Sequence, residues 1–228
     1  MGEHFAVIRR GSALRVGLAD ISYSDNGLLE YCDPYGCSRA RLIDHDYVYI
    51  DPVAPIHRPD IITSCLYLDF NEPLVVAEKT TSIWALAPYE LVIHIDGTAL
   101  GYVTPFRVKY TLVGGIIDGT ICRYYRAKTA LSLNRLEVSH DAIIRIDVSG
   151  VKGPVPGIGF NAALITFYLD KEHRIYYPVL IAKREPHHVT ARLTETPPLS
   201  ELSEAWRRIR KLRMAMTLPA FITPASMG

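Results

Sequence analysis

Residues 74–96 read LVVAEKTTSIWALAPYELVIHID, and this stretch decides the fold class. β-Branched and aromatic residues dominate it, and polar or proline-containing breaks recur every eight to twelve residues here and on both sides. This spacing is typical of sandwiches of short strands. We therefore predict a mainly β protein, an antiparallel β-sandwich that is immunoglobulin-like or jelly-roll-like and contains one or two modules.

Turn signals place further strands around this stretch. Asp25-Asn26-Gly27 suits the positive backbone angles of a tight turn and predicts a hairpin over residues 19–32. The alternating run AIIRIDV at 142–148 predicts a strand with one apolar face. We assign residues 1–128 to a β-sandwich module, and residues 129–196 to a second β module or to a continuation of the same sandwich.

The end of the chain has a different pattern, which predicts an amphipathic α-helix over residues 197–218 that stops at Pro219. The apolar residues recur at spacings of three and four, which places them on one stripe: Leu202, Ala205, Ile209, Leu212 and Met216. Basic residues follow toward the C-terminal end, where they suit the helix dipole. We predict that this helix binds a protein partner or a second copy through Leu202, Trp206, Arg207, Arg208, Arg210 and Lys211.

The composition is that of a soluble globular protein, with 228 residues, 49% of them hydrophobic and 21% charged. The formal net charge of +1 argues against recruitment of nucleic acid by a general positive field. The N-terminal residues contain no apolar signal-peptide core, and no run reaches the roughly 18 apolar residues of a membrane-spanning helix. We therefore predict a cytoplasmic protein with no transmembrane segment, with peripheral attachment to a membrane as an alternative.

The cysteine, asparagine and glutamine residues give information on disulfide bonding and on the temperature at which the host lives. Cys32 and Cys37 flank the turn sequence DPYG, and three alternatives stay open for them: a disulfide, a metal site, or two free thiols. Cys65 and Cys122 lie in predicted strands, and we interpret them as buried thiols. The chain has no Gln, four Asn, and 18 Arg against 7 Lys, a composition that favours a thermophilic host.

Recognised catalytic motifs are absent from the sequence. It contains no P-loop, no G-x-S-x-G elbow and no H-E-x-x-H pair. Residues 157–162 match G-x-G-x-x-A, but Pro154 and Pro156 precede them and no compact βαβ unit surrounds them, so we interpret this segment as an interstrand loop. We therefore predict no catalytic residue, no metal site and no cofactor, and we leave open whether the protein is an enzyme.

Four polar residues form a second candidate site, a pocket for a small molecule: Asp44, His45, His57 and Arg123. Asp44-His45-Asp46 is interpreted as a turn with solvated charges, because alternation on a strand would point His45 away from both carboxylates. Arg123 begins the run RYYR, which interleaves basic and aromatic residues as single-stranded nucleic-acid sites do. Nucleic-acid binding is therefore a further alternative, although the near-neutral charge weakens it.

Four motifs in residues 45–130 carry a resemblance to a known family: Pro52 to Pro59, Pro88 to Glu90, Lys109 to Gly114 and Ile121 to Tyr124. With these motifs the chain resembles an archaeal family known as domain of unknown function 432. The resemblance implies an archaeal, β-rich protein and an association with a membrane channel, and it implies no reaction. The function that we predict is a non-catalytic protein-interaction module. The alternatives are a small-molecule- or carbohydrate-binding enzyme and a nucleic-acid-binding protein.

Overall fold

A computed structural model describes residues 3–59, 62–76, 80–114, 117, 119–163 and 165–206. Strands account for 59% of the described residues and helical turns for 2%, which confirms the mainly β class. The one helical segment among the described residues is a short 3-10 helix, Leu133–Arg135. The strands are β1 (Ala6–Arg9), β2 (Ser12–Val16), β3 (Ala19–Tyr23), β4 (Leu28–Asp33), β5 (Gly36–Arg41), β6 (Tyr47–Val53), β7 (Cys65–Val76), β8 (Thr81–Ala87), β9 (Glu90–Ile95), β10 (Thr98–Val103), β11 (Lys109–Val113), β12 (Thr120–Ala127), β13 (Thr129–Ala130), β14 (Ala142–Gly150), β15 (Gly153–Asn161), β16 (Tyr168–Leu169), β17 (Ile175–Tyr176), β18 (Leu180–Arg184), β19 (Val189–Leu193) and β20 (Ser203–Glu204).

The described strands form four sheets. The first is the meander β2-β3-β4-β5, the second has the order β1-β6-β9-β10, and the third has the order β11-β12-β7-β15. The fourth runs β13-β8-β14-β17-β16-β20, with β18 and β19 joined to it through β14. One large apolar core, which includes Ile21, Ile50, Leu68 and Ile146, draws residues from all four sheets.

Two of the four sheets are antiparallel as predicted, whereas the third and fourth are mixed. β12 runs parallel to β7, and β14 runs parallel to both β17 and β18. Strands on the two sides of residue 128 share sheets, because β15 pairs with β7 and β14 pairs with β8. The residues assigned to two β modules therefore contribute to the same two sheets.

The hairpin predicted over residues 19–32 is confirmed. β3 and β4 pair antiparallel, and Gly27 in the turn between them has a φ of 80°. A Cβ at Gly27 would lie 2.5 Å from the Leu42 carbonyl oxygen, so glycine is required for space as well as for backbone angle. The interpretation of the G-x-G-x-x-A segment as an interstrand loop was wrong, because residues 157–161 lie in β15, paired with β7.

The predicted C-terminal helix is absent from the described residues. Ser203 and Glu204 form the short strand β20 against β16, and Ala205 bridges to Glu3 in parallel. At Leu202 and Ala205 the helical apolar spacing does not produce a helix, because residues 203–206 gain backbone hydrogen bonds from two other parts of the chain, including Trp206 N–H to the Glu3 carbonyl at 3.0 Å. Residues 207–218 of the predicted helix lie outside the described residues.

All four cysteines are paired in disulfides. Cys32 and Cys37 face each other across β4 and β5, with Cα atoms 4.0 Å apart, which is the disulfide alternative left open above. Cys65 of β7 is bonded to Cys122 of β12, with Cα atoms 4.6 Å apart. The interpretation of Cys65 and Cys122 as free thiols was wrong, because parallel pairing of β7 with β12, which local sequence does not reveal, sets them side by side.

In the described part of the chain, no helix has the length and apolar character needed to cross a membrane.

Asp170 in the β16–β17 turn gives a first testable prediction. Its carboxylate accepts hydrogen bonds from the Glu172 amide at 3.0 Å, from the Arg174 amide at 2.9 Å, and from the Tyr176 hydroxyl at 3.0 Å. Burial raises the pKa of Asp170, but the hydrogen bonds from Arg174 and Tyr176 outweigh it and the net pKa is lowered. A lowered folded-state pKa stabilises the fold above the unfolded-state pKa, and this contribution is lost as the pH falls through the folded-state value.

We therefore expect Asp170→Asn to lower the free energy of unfolding by about 1–3 kcal/mol at neutral pH. The difference from the parent protein should shrink toward acidic pH in urea denaturation curves. A variant that keeps the pH dependence of the parent would contradict this role of Asp170.

Candidate functional site

A buried polar stripe crosses two neighbouring strands of the second sheet. In the antiparallel register of β6 and β9, Tyr49 lies opposite His94, Asp51 opposite Val92, and Val53 opposite Glu90. Paired residues share a face of the sheet, so Asp51 lies between the side chains of Glu90 and His94 on one face. All three of these polar side chains are buried, although buried positions in strands are normally apolar.

Glu90, at one end of this stripe, forms a buried ion pair with Arg123. Its carboxylate accepts hydrogen bonds from the His57 amide at 2.7 Å, the Arg58 amide at 3.1 Å and Arg123 Nη1 at 2.9 Å. The Glu90 and Arg123 side chains are 0% and 2% exposed. The His57 ring stacks on Tyr102 with centroids 4.1 Å apart, and burial, then the charge of Glu90, raise the pKa of Tyr102. Glu90 therefore fixes the segment after β6 that carries His57.

At the other end of the stripe, two imidazoles converge on Asp51. His4 Nδ1 lies 2.7 Å and His94 Nε2 lies 2.8 Å from the same Asp51 oxygen, Oδ2. The other oxygen accepts the Phe5 amide at 2.9 Å, which fixes the carboxylate. Asp51 and His94 are buried, whereas the His4 side chain is 23% exposed. We call His4, Asp51 and His94 the triad.

Trp206 covers the triad. Its ring is 4.0 Å from the His94 ring and tilted by only 11°, so the two rings are stacked. Backbone pairing of Trp206 with Glu3, the neighbour of His4, holds this geometry, since the Trp206 amide donates to the Glu3 carbonyl. Tyr49 stacks on the His4 ring with centroids 4.0 Å apart. The triad is thus flanked by two aromatic rings, Tyr49 on His4 and Trp206 on His94.

Trp206 also forms a wall of a cavity of about 280 Å³, which we call the Trp206 cavity. The other walls come from the end of β6 and the residues after it, including His57, and from the connection between β15 and β16, including Ile165, Thr166 and Phe167. The walls are mostly apolar, and Trp206 and His57 supply aromatic surface to the cavity. Ligand sites are typically concave and apolar in this way, with few polar groups.

A second depression, of about 390 Å³, surrounds the Cys65–Cys122 disulfide. Its described lining comprises small, apolar and neutral polar residues and contains no ionisable side chain: Ser64, Cys65, Val113, Thr120, Cys122, Gly159, Phe160 and Asn161. The Trp206 cavity, by contrast, is lined by His57, which contacts the buried Glu90, and by Trp206, which stacks on His94 of the triad. We therefore take the Trp206 cavity together with the triad as the candidate functional site.

The structure divides the four residues of the predicted pocket. His57 lines the Trp206 cavity, and Arg123 stands behind it, joined to His57 through Glu90. Asp44 and His45 are exposed and precede β6, whereas His57 follows it, so a seven-residue strand of about 3.3 Å per residue separates the two pairs. The His45 carbonyl accepts a hydrogen bond from Arg10 Nε at 3.0 Å, which fits the turn interpretation.

Two of the predicted partner-binding residues are described. Leu202 packs against a small apolar cluster that includes Ile143 and Tyr176, and Trp206 packs on His94. Arg207, Arg208, Arg210 and Lys211 lie outside the described residues.

Four buried or partly buried polar residues of the site were not predicted from the sequence: His4, Asp51, Glu90 and His94. The local signal was a charged or imidazole side chain inside an apolar strand: Asp51 follows YVYI, and both Glu90 and His94 belong to ELVIHI. Such residues are expected to be buried with a specific partner, but the partners lie 33 to 47 positions away in sequence.

The fold and site define a mainly β protein with mixed sheets and a tryptophan-walled cavity next to a buried His-Asp-His cluster. A family model described as "Protein of unknown function (DUF432)" matches residues 9–221. The match spans most of the chain, so the chain belongs to this family, as the sequence motifs suggested. No curated protein and no solved structure shows significant similarity to the chain.

Proposed function

We propose that the protein is a non-catalytic binding module that takes a small aromatic ligand in the Trp206 cavity. The observation that carries the proposal is the placement of the Trp206 indole, which stacks on His94 on one side and forms an apolar cavity wall. A ring held in this way offers a flat surface with little further loss of side-chain freedom on binding. A volume of about 280 Å³ lies near the lower limit for ligand pockets, which fits a molecule of one or two rings.

The contacts of Glu90 support binding rather than catalysis. This carboxylate is fully buried, and its oxygens accept hydrogen bonds from two backbone amides and the Arg123 guanidinium. A general base needs a free oxygen within hydrogen-bond reach of its substrate, whereas Glu90 is engaged by the protein itself. Its role is to hold His57 and the cavity wall in place.

Other functions stay predictions. A protein partner bound through residues 202–211, an association with a membrane channel, a cytoplasmic location and a thermophilic archaeal host rest on the sequence alone. The same holds for an immunoglobulin-like or jelly-roll-like sandwich, for an enzyme and for nucleic-acid binding. The aromatic cavity is the more specific basis for a function, because its walls belong to the described residues.

The test uses indole as the probe, in metal-free buffer, with calorimetry and ligand-observed NMR. We expect saturable binding at one site, and Trp206→Ala should weaken it at least about tenfold, equivalent to a loss of about 1.4 kcal/mol. Trp84→Phe is the matched control, because Trp84 packs on a different apolar cluster, and it should leave binding unchanged.

A second variant guards against a general effect of Trp206→Ala on folding. Ala163 is exposed and lines the cavity, so Ala163→Phe fills the cavity from its rim while leaving the core intact. We expect this variant to fold as the parent does and to lose indole binding. Equal indole affinity in the parent, Trp206→Ala and Ala163→Phe would overturn the proposal, as would the absence of any binding at millimolar indole.

A further inference from the structure

We propose that the triad of His4, Asp51 and His94 binds a divalent transition-metal ion of the Zn²⁺ class. The inference goes beyond the proposed function, since it rests on the triad and not on the contents of the Trp206 cavity. It also departs from the sequence-based prediction that the protein has no metal site.

The donor set fits such an ion. Two imidazole nitrogens and one carboxylate oxygen, His4 Nδ1, His94 Nε2 and Asp51 Oδ2, all lie within 4.8 Å of one another. Zn²⁺ sites with three protein ligands commonly combine histidine with a carboxylate and leave a further coordination position open. Imidazole ligands favour Zn²⁺ and its transition-metal neighbours, whereas Mg²⁺ and Ca²⁺ prefer oxygen donors.

The geometry requires only a small adjustment. The two nitrogens lie 2.7 Å and 2.8 Å from Asp51 Oδ2. Ligands at about 2.0–2.2 Å from Zn²⁺ in a tetrahedral arrangement are about 3.3–3.5 Å apart, so these two contacts must lengthen by less than about 1 Å. Asp51 Oδ1 is held by the Phe5 amide, which leaves Oδ2 as the single coordinating oxygen.

Charge at the triad points to a cation. Asp51 is fully buried, and among the described residues its carboxylate forms hydrogen bonds with two imidazoles and one backbone amide. Buried charges in proteins are normally paired or coordinate a metal ion. A cation bound by Asp51 Oδ2 and the two imidazoles would supply such a partner, and the partly exposed His4 side chain gives it a path from solvent.

The environment of His94 sets the expected strength of binding. Its Nδ1 atom is buried and has no hydrogen-bond partner among the described residues. Histidine ligands usually donate this second N–H to a carboxylate or carbonyl, and losing such a partner costs about 10–100-fold in metal affinity. We therefore expect an exchangeable ion that a chelator removes without unfolding the protein.

The test titrates the EDTA-treated, untagged full chain with Zn²⁺ by calorimetry and with Co²⁺ by visible absorption. We expect one ion per chain and Co²⁺ ligand-field bands of a four- or five-coordinate site. His4→Ala should lower the affinity at least about tenfold, and Asp51→Asn should do the same. Because the His4 side chain is partly exposed, His4→Ala is the variant expected to keep its fold.

The matched control is His187→Ala/His188→Ala, which removes two exposed neighbouring histidines of the β18–β19 turn that are not members of the triad. This variant should bind Zn²⁺ as the parent does. Location is reported by Trp206 in a Trp84→Phe background, where paramagnetic Co²⁺ should quench the emission and Zn²⁺ should not, since the Trp206 and His94 rings are 4.0 Å apart.

Three outcomes would overturn the metal proposal: no stoichiometric binding at micromolar Zn²⁺ or Co²⁺, an unchanged affinity in His4→Ala, or loss of binding in the His187/His188 control. Failure of this proposal is distinguishable from failure of the proposed function. Indole binding is measured without metal, and metal binding is measured without indole.

Discussion

Replacing Glu90 by glutamine is expected to lower the free energy of unfolding by about 3–5 kcal/mol. The substitution keeps the shape of the side chain but removes the negative charge opposite Arg123, whose side chain is 2% exposed. The guanidinium is then a buried charge without its carboxylate, and the hydrogen bonds to the His57 and Arg58 amides are weakened as well. Urea denaturation at neutral pH measures the loss.

Two variants sharpen this prediction. Glu137→Gln is the matched control, because the Glu137 side chain is 93% exposed and its ion pair with Lys128 is 4.0 Å long and exposed to solvent, so a change of less than about 1 kcal/mol is expected. The double variant Glu90→Gln/Arg123→Met removes both charges and should recover part of the loss. A decrease below about 1 kcal/mol for Glu90→Gln would mean that the ion pair is not buried as described.

Removal of the Cys65–Cys122 disulfide is expected to destabilise the fold by about 4 kcal/mol. The bond closes a loop of 57 residues, and the chain-entropy relation converts that length into roughly this value. The same relation gives only about 2 kcal/mol for Cys32–Cys37, whose residues are five positions apart. Alanine is the suitable replacement at both sites because Cys122 is fully buried and a serine hydroxyl there would need a partner.

The measurement compares the double variants Cys65→Ala/Cys122→Ala and Cys32→Ala/Cys37→Ala with the parent in urea, with and without reductant. Under oxidising conditions the first variant should be the less stable of the two. Under reducing conditions the free energy of unfolding of both variants should approach that of the reduced parent. A parent whose stability does not respond to reductant would contradict the presence of these bonds.

Features that depend on neighbouring residues were predictable from the sequence. The hairpin at Asp25-Asn26-Gly27 and the alternating strand at 142–148 follow from turn chemistry and side-chain period, and both occur. The parallel pairs of β7 with β12 and of β14 with β18 were not predictable, because long connections separate these strands and no local signal encodes their direction.

The end of the chain shows how tertiary contacts override a local pattern. Leu202 and Ala205 have helical spacing, yet Ser203 pairs with Leu169, and Ala205, which is 3% exposed, bridges to Glu3. A truncation that removes residues 197–228 also removes β20 and the buried Ala205, so we expect it to destabilise the fold.

The candidate site was only partly visible in the sequence. His57 and Trp206 were singled out, but for separate sites, and the structure brings them to one cavity. The triad was not predicted, because His4 and His94 are 47 and 43 positions from Asp51. It is assembled by the register of β6 with β9 and by the hydrogen bond of the Phe5 amide to Asp51.

The placement of Trp206 is the central claim, because it forms the cavity wall and covers the triad. The most direct test is acrylamide quenching of Trp206 fluorescence in the Trp84→Phe variant, in which Trp206 is the only remaining tryptophan. The half-buried, stacked indole should emit at shorter wavelength than N-acetyltryptophanamide in water and should be quenched several-fold less efficiently. Emission and quenching equal to those of the free compound would show that Trp206 is not docked on His94, and would contradict the account.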